Sequence, residues 1–378
     1  MNIALDARAV GGRLTGDRTY WRGLIGGLAT LDTENRYTLF IRTPLDPIDE
    51  FSLLPKNWEI VIVPAPSDRI WSLFSFGAAI RRHNIDIAHV QYTVPPNLGC
   101  KVVTTVHDIS FRLFPQLFSF KDRTLLNLTI PASIRRADAV ITVSESSRSD
   151  ILSSYPFLKP EKITATHLGS APIFQPLTED EKSTARQHLS ERYGLASAYI
   201  LSVGVLQPRK NLPMLIDAFS RARKRSGFPH KLAIAGKTGW LSTETEQAVA
   251  SAGNDVIMLG YVSDLDLPLL YNCAQAMAYP SLYEGFGLPV LEAMACGCAV
   301  ITSDNSSLPE VMGQAGILLP ANDRQAWEDA VIRVIDDDEL RTGLQTLGLK
   351  QAARFTWEAT ARKTLNVYRT IASVESFY

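Results

Sequence analysis

At 378 residues the chain exceeds one ordinary core, so two domains are expected. A hydrophobic share of 46% against 20% charged describes a soluble globular protein, and a net charge of −1 leaves no electrostatic footprint for nucleic acid. Cys100, Cys273, Cys296 and Cys298 make no disulfide framework at this length and suggest a reducing compartment; Cys296 and Cys298 read as small residues under a helix end rather than as a metal pair.

The chain opens directly on a strand, MNIALDA, which reads as having no signal peptide, and no apolar run of about 18 residues offers a membrane span. Apolar runs at 3–6, 36–41, 58–64, 87–90, 102–106 and 139–143 predict strands that alternate with helices, the pattern of a doubly wound α/β domain. The loop after the first strand holds Gly11, Gly12 and Gly16, whose spacing is not G-x-G-x-x-G, so a dinucleotide fold is not indicated. The helix that follows, 20–31, is expected to bury Trp21, Leu24, Ile25 and Leu28. VVTTVHD puts His107 at the carboxyl end of a strand, where ligands bind in such sheets. A structural His107–Asp108 pair is the other reading. His89 also ends a strand and reads as structural; His83, His167, His188 and His230 lack such placement.

Pro172, Pro176 and the charged helix start TEDEKSTARQ mark a linker at 172–179, and a strand at 199–203 begins a second α/β unit. In GVLQPRKN, Asn211 is expected to cap a helix whose apolar face is Leu212, Leu215, Ile216 and Phe219. Arg209 and Lys210 then sit at a helix N-terminus, where cations oppose the helix dipole unless an anion arrives. Arginine can fork two phosphate oxygens and lysine supplies a point charge; two solvated loop cations are the plainer alternative. A strand at 231–235 leads into GKTGW, which is not a P-loop but carries Lys237. A strand at 256–259 leads into the turn Gly260-Tyr261-Val262, and a helix starts at 266.

The most informative stretch is 281–300, SLYEGFGLPVLEAMACGCAV. Gly285 and Gly287 permit close backbone approach, Pro289 suits the first turn of a helix, and Gly297 suits its stop. Buried strands flank it, so a helix N-terminus with its N–H groups is expected at the carboxyl end of a parallel sheet, an anion site. Glu284 lies before the glycines and Glu292 eight residues later. Carboxylates repel phosphate but accept hydrogen bonds from paired hydroxyls. A ligand with phosphate in the middle and a diol at each end, a nucleotide sugar, uses all three features. A solvated loop residue for Glu284 and a first-turn, dipole-stabilising acid for Glu292 form the competing reading.

EGFGLP followed by LEAMACG resembles the signature of retaining glycosyltransferases of family 4, and the resemblance extends over nearly the whole chain. It implies an α/β fold of the GT-B architecture: two facing Rossmann-like domains, 1–172 on the acceptor side and 173–355 for the nucleotide sugar, with 356–378 as a helix crossing back onto the first domain. It implies that His107 reaches the reactive end of the donor sugar and that Arg209 and Lys210 hold the diphosphate. Glu284 would then orient sugar hydroxyls and Glu292 hold the ribose. Lys237, Tyr261, Val262, Gly285, Phe286, Gly287 and Leu288 would contact the donor, Tyr261 and Val262 at the base. The polar loop 304–310 is placed near the nucleotide. Gly12 belongs to the loop that faces the cleft in the family, but TGDRTY at 15–20 departs from the family's G-x-G-R-Y segment, and Val205 stands where some relatives carry a further arginine.

The expected reaction is metal-independent, needs no cofactor, and moves a hexose with retention from the nucleotide sugar to an acceptor hydroxyl. VGVLQPRKN and GKTGW look most like bacterial mannosyltransferases of surface-polysaccharide pathways, which favours GDP-mannose as donor and a glycan or lipid-linked saccharide as acceptor. The expected location is the cytoplasm, with peripheral contact at the inner face of the plasma membrane. A GT-B epimerase or phosphorylase, and a non-catalytic nucleotide- or glycan-binding subunit, are the alternatives.

Overall fold

Two all-parallel sheets carry the chain. The computed structural model describes residues 1–11, 16–45, 54–237, 239 and 243–373, apart from the side chain of Leu73. It divides into two compact units, Met1–Gly169 with Thr356–Tyr378, and Ser170–Phe355.

The first unit holds β1 (Asn2–Asp6), β2 (Arg36–Ile41), β3 (Trp58–Ile62), β4 (Ile87–Gln91), β5 (Lys101–Thr105), β6 (Ala139–Thr142) and β7 (Ile163–Ala165), in the order β3-β2-β1-β4-β5-β6-β7. β1, β4 and β5 are almost wholly buried, as parallel strands covered on both faces must be. The first helix, Gly16–Leu31, begins one turn earlier than the sequence suggested, with Asp17 in its first turn, where an acid suits the dipole. It buries Trp21, Leu24, Ile25 and Leu28 as expected, and Tyr20 besides.

The C-terminal helix, Trp357–Ser373, packs against that first helix. Three residues without side chains make room for Trp357. A Cβ at Gly23 would stand 2.0 Å from its ring, one at Gly27 2.5 Å from its carbonyl oxygen, and one at Gly169 2.3 Å from its nitrogen. Farther along, Tyr368 reaches His89 of β4.

The second unit holds β8 (Tyr199–Val203), β9 (Lys231–Ala235), β10 (Val256–Gly260), β11 (Ala276–Tyr279), β12 (Val300–Ser303) and β13 (Ile317–Leu319), in the order β10-β9-β8-β11-β12-β13. Its core joins β8, β9, β11 and β12 to the apolar faces of helices Leu212–Ser226 and Arg324–Asp336. A reciprocal capping box between Thr178 and Glu181 starts the unit's first helix, Glu179–Tyr193. The segment expected as a polar loop at 304–310 is loop only to Ser307. Leu308–Met312 is helical, because Pro309 fits its first turn and Leu308, Val311 and Met312 all bury their side chains.

Candidate functional site

In the second sheet the strand order reverses between β8 and β11, and loops leaving two such strands open a crevice at the carboxyl edge. After β8 the chain makes a single 3-10 turn, Pro208–Lys210, before helix Leu212–Ser226. Asn211 occupies the cap position with φ 53°, but its side chain does not cap the helix. Its Nδ2 donates to the Ala321 carbonyl at 2.8 Å and to Asn322 Oδ1 at 3.3 Å, tying the loop to the far side of the sheet. The loop after β11 closes on the same turn: Leu282 N and Ser281 Oγ donate to the Arg209 carbonyl at 2.8 and 3.2 Å.

These two loops bring Lys210 and Glu284 together. Lys210 Nζ donates to Glu284 Oε1 at 2.6 Å and also to the Tyr279 hydroxyl. Oε1 further accepts from Tyr279 OH at 2.9 Å and from Ser281 Oγ at 2.5 Å, while Arg209 Nη1 stands 3.7 Å from Oε2. The Glu284 backbone is clamped from the 304–307 loop: its N–H donates to Ser306 Oγ at 3.0 Å and its carbonyl accepts from Ser307 Oγ at 2.9 Å. Only 6% of Glu284 is exposed. Burial alone would push its carboxyl up; Arg209 and Lys210 outweigh that and hold it at about 2. The sequence reading set Glu284 apart from the two cations, framing a separate anion. In the fold it lies against them, since a buried carboxylate and a buried ammonium are each costly alone and tolerable as a hydrogen-bonded pair.

Glycines 285 and 287 lead into helix Leu288–Ala295. Gly287 takes the cap position with φ 99° and brings no side-chain cap, and Pro289 sits in the first turn. Phe286 is buried edge-on against Phe355, ring centroids 5.9 Å apart, and Leu288 is half-buried. Glu292 lies beyond the first turn, so it is not a first-turn dipole partner. It accepts from Tyr271 OH at 3.1 Å and is 9% exposed. Burial raises its carboxyl to about 7, eased by the Tyr271 hydrogen bond and reinforced by Asp264. The two glutamates thus carry opposite perturbations within one motif.

The neighbouring strand ends are held edge to edge. Gly204 N donates to the Ala235 carbonyl at 2.9 Å and Gly236 N to the Gly260 carbonyl at 2.8 Å. Gly236 has φ 154°, and a Cβ there would stand 1.8 Å from the Gly204 oxygen. The Lys237 carbonyl accepts from Leu206 N at 3.0 Å, and Gly239 N donates to the Leu206 carbonyl at 2.9 Å, so this turn is stitched to the 204–211 loop. The Lys237 side chain is exposed. Tyr261 is exposed too, whereas Val262 is buried.

In the first unit His107 follows β5. Its Nε2 is 2.8 Å from Gln91 Nε2, at the end of β4, and 3.7 Å from Asp17 Oδ1. The rings of Tyr20 and Tyr92 stand 4.9 and 5.5 Å from the imidazole. Burial lowers the His107 pKa, with Asp17 and Asp108 opposing it, which favours a neutral ring taking the Gln91 amide hydrogen on Nε2. Asp108 accepts from the N–H and hydroxyl of Ser110 at 2.8 and 2.6 Å. His89 is structural, as read: it is buried between Tyr368 OH at 2.6 Å and Thr105 Oγ1 at 2.7 Å, and burial holds its pKa at about 3. Gly12 lies outside the described residues.

Sequence reasoning missed Tyr279, Ser281, Ser306 and Ser307 around Glu284, Tyr271 on Glu292, and Gln91 on His107. One signal was available: a tyrosine closing the otherwise small-residue strand AMAY, five residues before the glutamate.

Two family profiles match the chain: Glycosyltransferase Family 4 over residues 19–169 and Glycosyl transferases group 1 over residues 187–350. O-antigen chain mannosyltransferase B of Escherichia coli is 35% identical over 299 residues, which is 78% of this chain and 76% of that protein. The serotype-specific mannosyltransferase WbdA, also of Escherichia coli, is 30% identical over 72% of this chain, which spans 34% of WbdA's length. Among solved structures, sucrose-phosphate synthase from Thermosynechococcus elongatus superposes with a TM-score of 0.77 at 21% identity, over 99% of this chain and 100% of that one.

Proposed function

The chain belongs to glycosyltransferase family 4, retaining hexosyltransferases of the GT-B fold that act on a nucleotide-sugar donor and a saccharide acceptor, and from that premise we propose that it transfers mannose from GDP-mannose to a hydroxyl of a growing surface polysaccharide or glycolipid. The observation that carries this reading is the ionised, buried Glu284 at the reversal of strand order, with two cations against it and a helix N-terminus immediately after it.

In this reading the diphosphate lies on the N–H groups of residues 285–288 and takes the Arg209 guanidinium, the more exposed of the two cations. Lys210 acts mainly by keeping Glu284 charged. Oε1 of Glu284 is saturated by three donors, so Oε2 is the oxygen offered to a sugar hydroxyl. Glu292 takes the ribose diol, the 261–262 turn takes the base, and Lys237 approaches from its exposed turn. The bond from the anomeric carbon to the β-phosphate oxygen breaks, its electron pair stays on the phosphate, and Arg209 with the helix N-terminus stabilises that charge. The acceptor oxygen bonds the anomeric carbon on the same face and its proton passes to the leaving phosphate, which preserves configuration. Neutral His107 positions the sugar. The cations and backbone N–H groups fill the role a metal would have, so activity should survive EDTA.

A thermal-shift and donor-hydrolysis panel of UDP-, GDP- and ADP-sugars tests this. GDP-mannose should give the largest stabilisation and slow hydrolysis without acceptor. A stronger response to a UDP-sugar would overturn the mannose assignment, and no response to any nucleotide sugar would overturn transfer by this chain.

A further inference from the structure

Helix Phe120–Arg136 of the first unit turns an apolar face to water. Phe120 is 75% exposed and Leu128 69%, and Leu125 is exposed as well. At 3.6 residues per turn Phe120, Thr124 and Leu128 run along one face, with Leu125, Lys121 and Arg135 beside them. The buried residues of this helix, Ile130, Ser133 and Ile134, lie on the opposite face. Leu113, exposed at the end of the preceding short helix Ser110–Leu113, extends the apolar surface. Across 110–137 the basic residues Arg112, Lys121, Arg123, Arg135 and Arg136 face one acid, Asp122, in a chain whose net charge is −1. Positive charge is therefore gathered where large apolar side chains are exposed, and the two interleave: the Arg123 guanidinium lies 5.5 Å from the Phe120 ring centre.

A second copy of the chain is a poor occupant, because a twofold contact would set this positive charge against itself. An acidic protein would match the charge but gives no reason for a convex stripe of single apolar side chains. An anionic lipid surface accounts for both: Phe and Leu sink to the acyl boundary while Lys and Arg reach back to the headgroups. We propose that this helix face docks the protein on an anionic bilayer. The inference uses no residue of the donor site and is independent of the transfer reaction.

The test is co-sedimentation of the full chain with vesicles of phosphatidylethanolamine and phosphatidylglycerol, against vesicles of phosphatidylcholine alone. Binding should be confined to the anionic vesicles and weaken at about 0.5 M salt, where charges are screened within a few Å. The Phe120→Ser/Leu128→Ser double variant should lose about tenfold or more in partitioning, and Lys121→Glu should also weaken it. Both changes fall on exposed side chains, so the unfolding midpoint and donor hydrolysis in solution should hold. Unaltered sedimentation of the double variant, equal binding to phosphatidylcholine, or no binding to either vesicle would each overturn the proposal. So would a dimer of the wild type that the double variant abolishes, which would make the face a contact between copies.

Discussion

Lys210 and Glu284 are each buried, and each depends on the other for its charge. Lys210→Ala would leave the carboxylate with Arg209 at 3.7 Å and the neutral donors Tyr279 and Ser281. Removing one partner of a buried pair typically costs about 3–5 kcal/mol. Part of that strain is relieved by protonation, so the acid limb of the pH–rate profile should move upward in the variant, alongside weaker nucleotide binding. A profile whose acid limb stays put would uncouple Lys210 from Glu284. The two glutamates should separate in calorimetry. Glu284→Gln should damage transfer more than binding of the free nucleoside diphosphate, and Glu292→Gln should weaken diphosphate and whole donor alike. Glu292 adds a proton signature. With its carboxyl near 7, a ribose diol that binds the charged form must drive protons off as the nucleotide binds at neutral pH. Titrations in two buffers of different ionisation enthalpy should reveal that release in the wild type and its loss in Glu292→Gln; release that persists in the variant would assign it to another group.

At the level of elements, the site depends on three strand ends kept in register. Gly236→Ala would force a methyl into the Gly204 carbonyl at a backbone angle that L-residues avoid. It should cost more than about 3 kcal/mol in urea denaturation of the second unit and weaken nucleotide binding with it. Gly194→Ala, at a helix end with φ 69° and open space around it, should cost only about 1 kcal/mol. A mild Gly236→Ala would mean the β8, β9 and β10 ends can part without harm. This contrast also marks what could be read in advance. The strands were legible because parallel strands buried on both faces are continuous apolar runs, and the Leu288–Ala295 helix because glycine and proline punctuate its start. The partners of Glu284 were not, because they depend on how the loop after β11 closes on the Arg209 carbonyl, a tertiary event with no local pattern. Asn211 shows the same limit: its cap position was legible, but the pull of the Ala321 carbonyl on its side chain was not.

For the molecule as a whole, the glutamates bend the stability of the second unit in opposite directions. The folded pKa of Glu284 is lowered from 4.5 to about 2, so its contribution is full above 4.5 and lost as the pH falls through 2. That of Glu292 is raised from 4.5 to about 7, so its contribution is full below 4.5 and lost as the pH rises through 7. Glu292→Gln should therefore stabilise the second unit at pH 8, by an amount on the order of 3 kcal/mol. At pH 4.5 it should change little. Urea midpoints at the two pH values check this, and a gain of equal size at both would point to packing instead of charge.

The glycine seat of Trp357 bears on the order in which the protein is made. Gly23, Gly27 and Gly169 leave the ribosome well before Trp357, separated from it by the whole of Ser170–Phe355. At bacterial to eukaryotic elongation rates that interval is roughly 10–40 s. Throughout it the nascent first unit holds a sheet and a first helix whose notch stands empty, while the second unit emerges as one uninterrupted segment able to finish first. Completion of the earlier half thus awaits the latest translated helix, so any stalled or clipped chain carries an open apolar notch that chaperones and proteases can recognise.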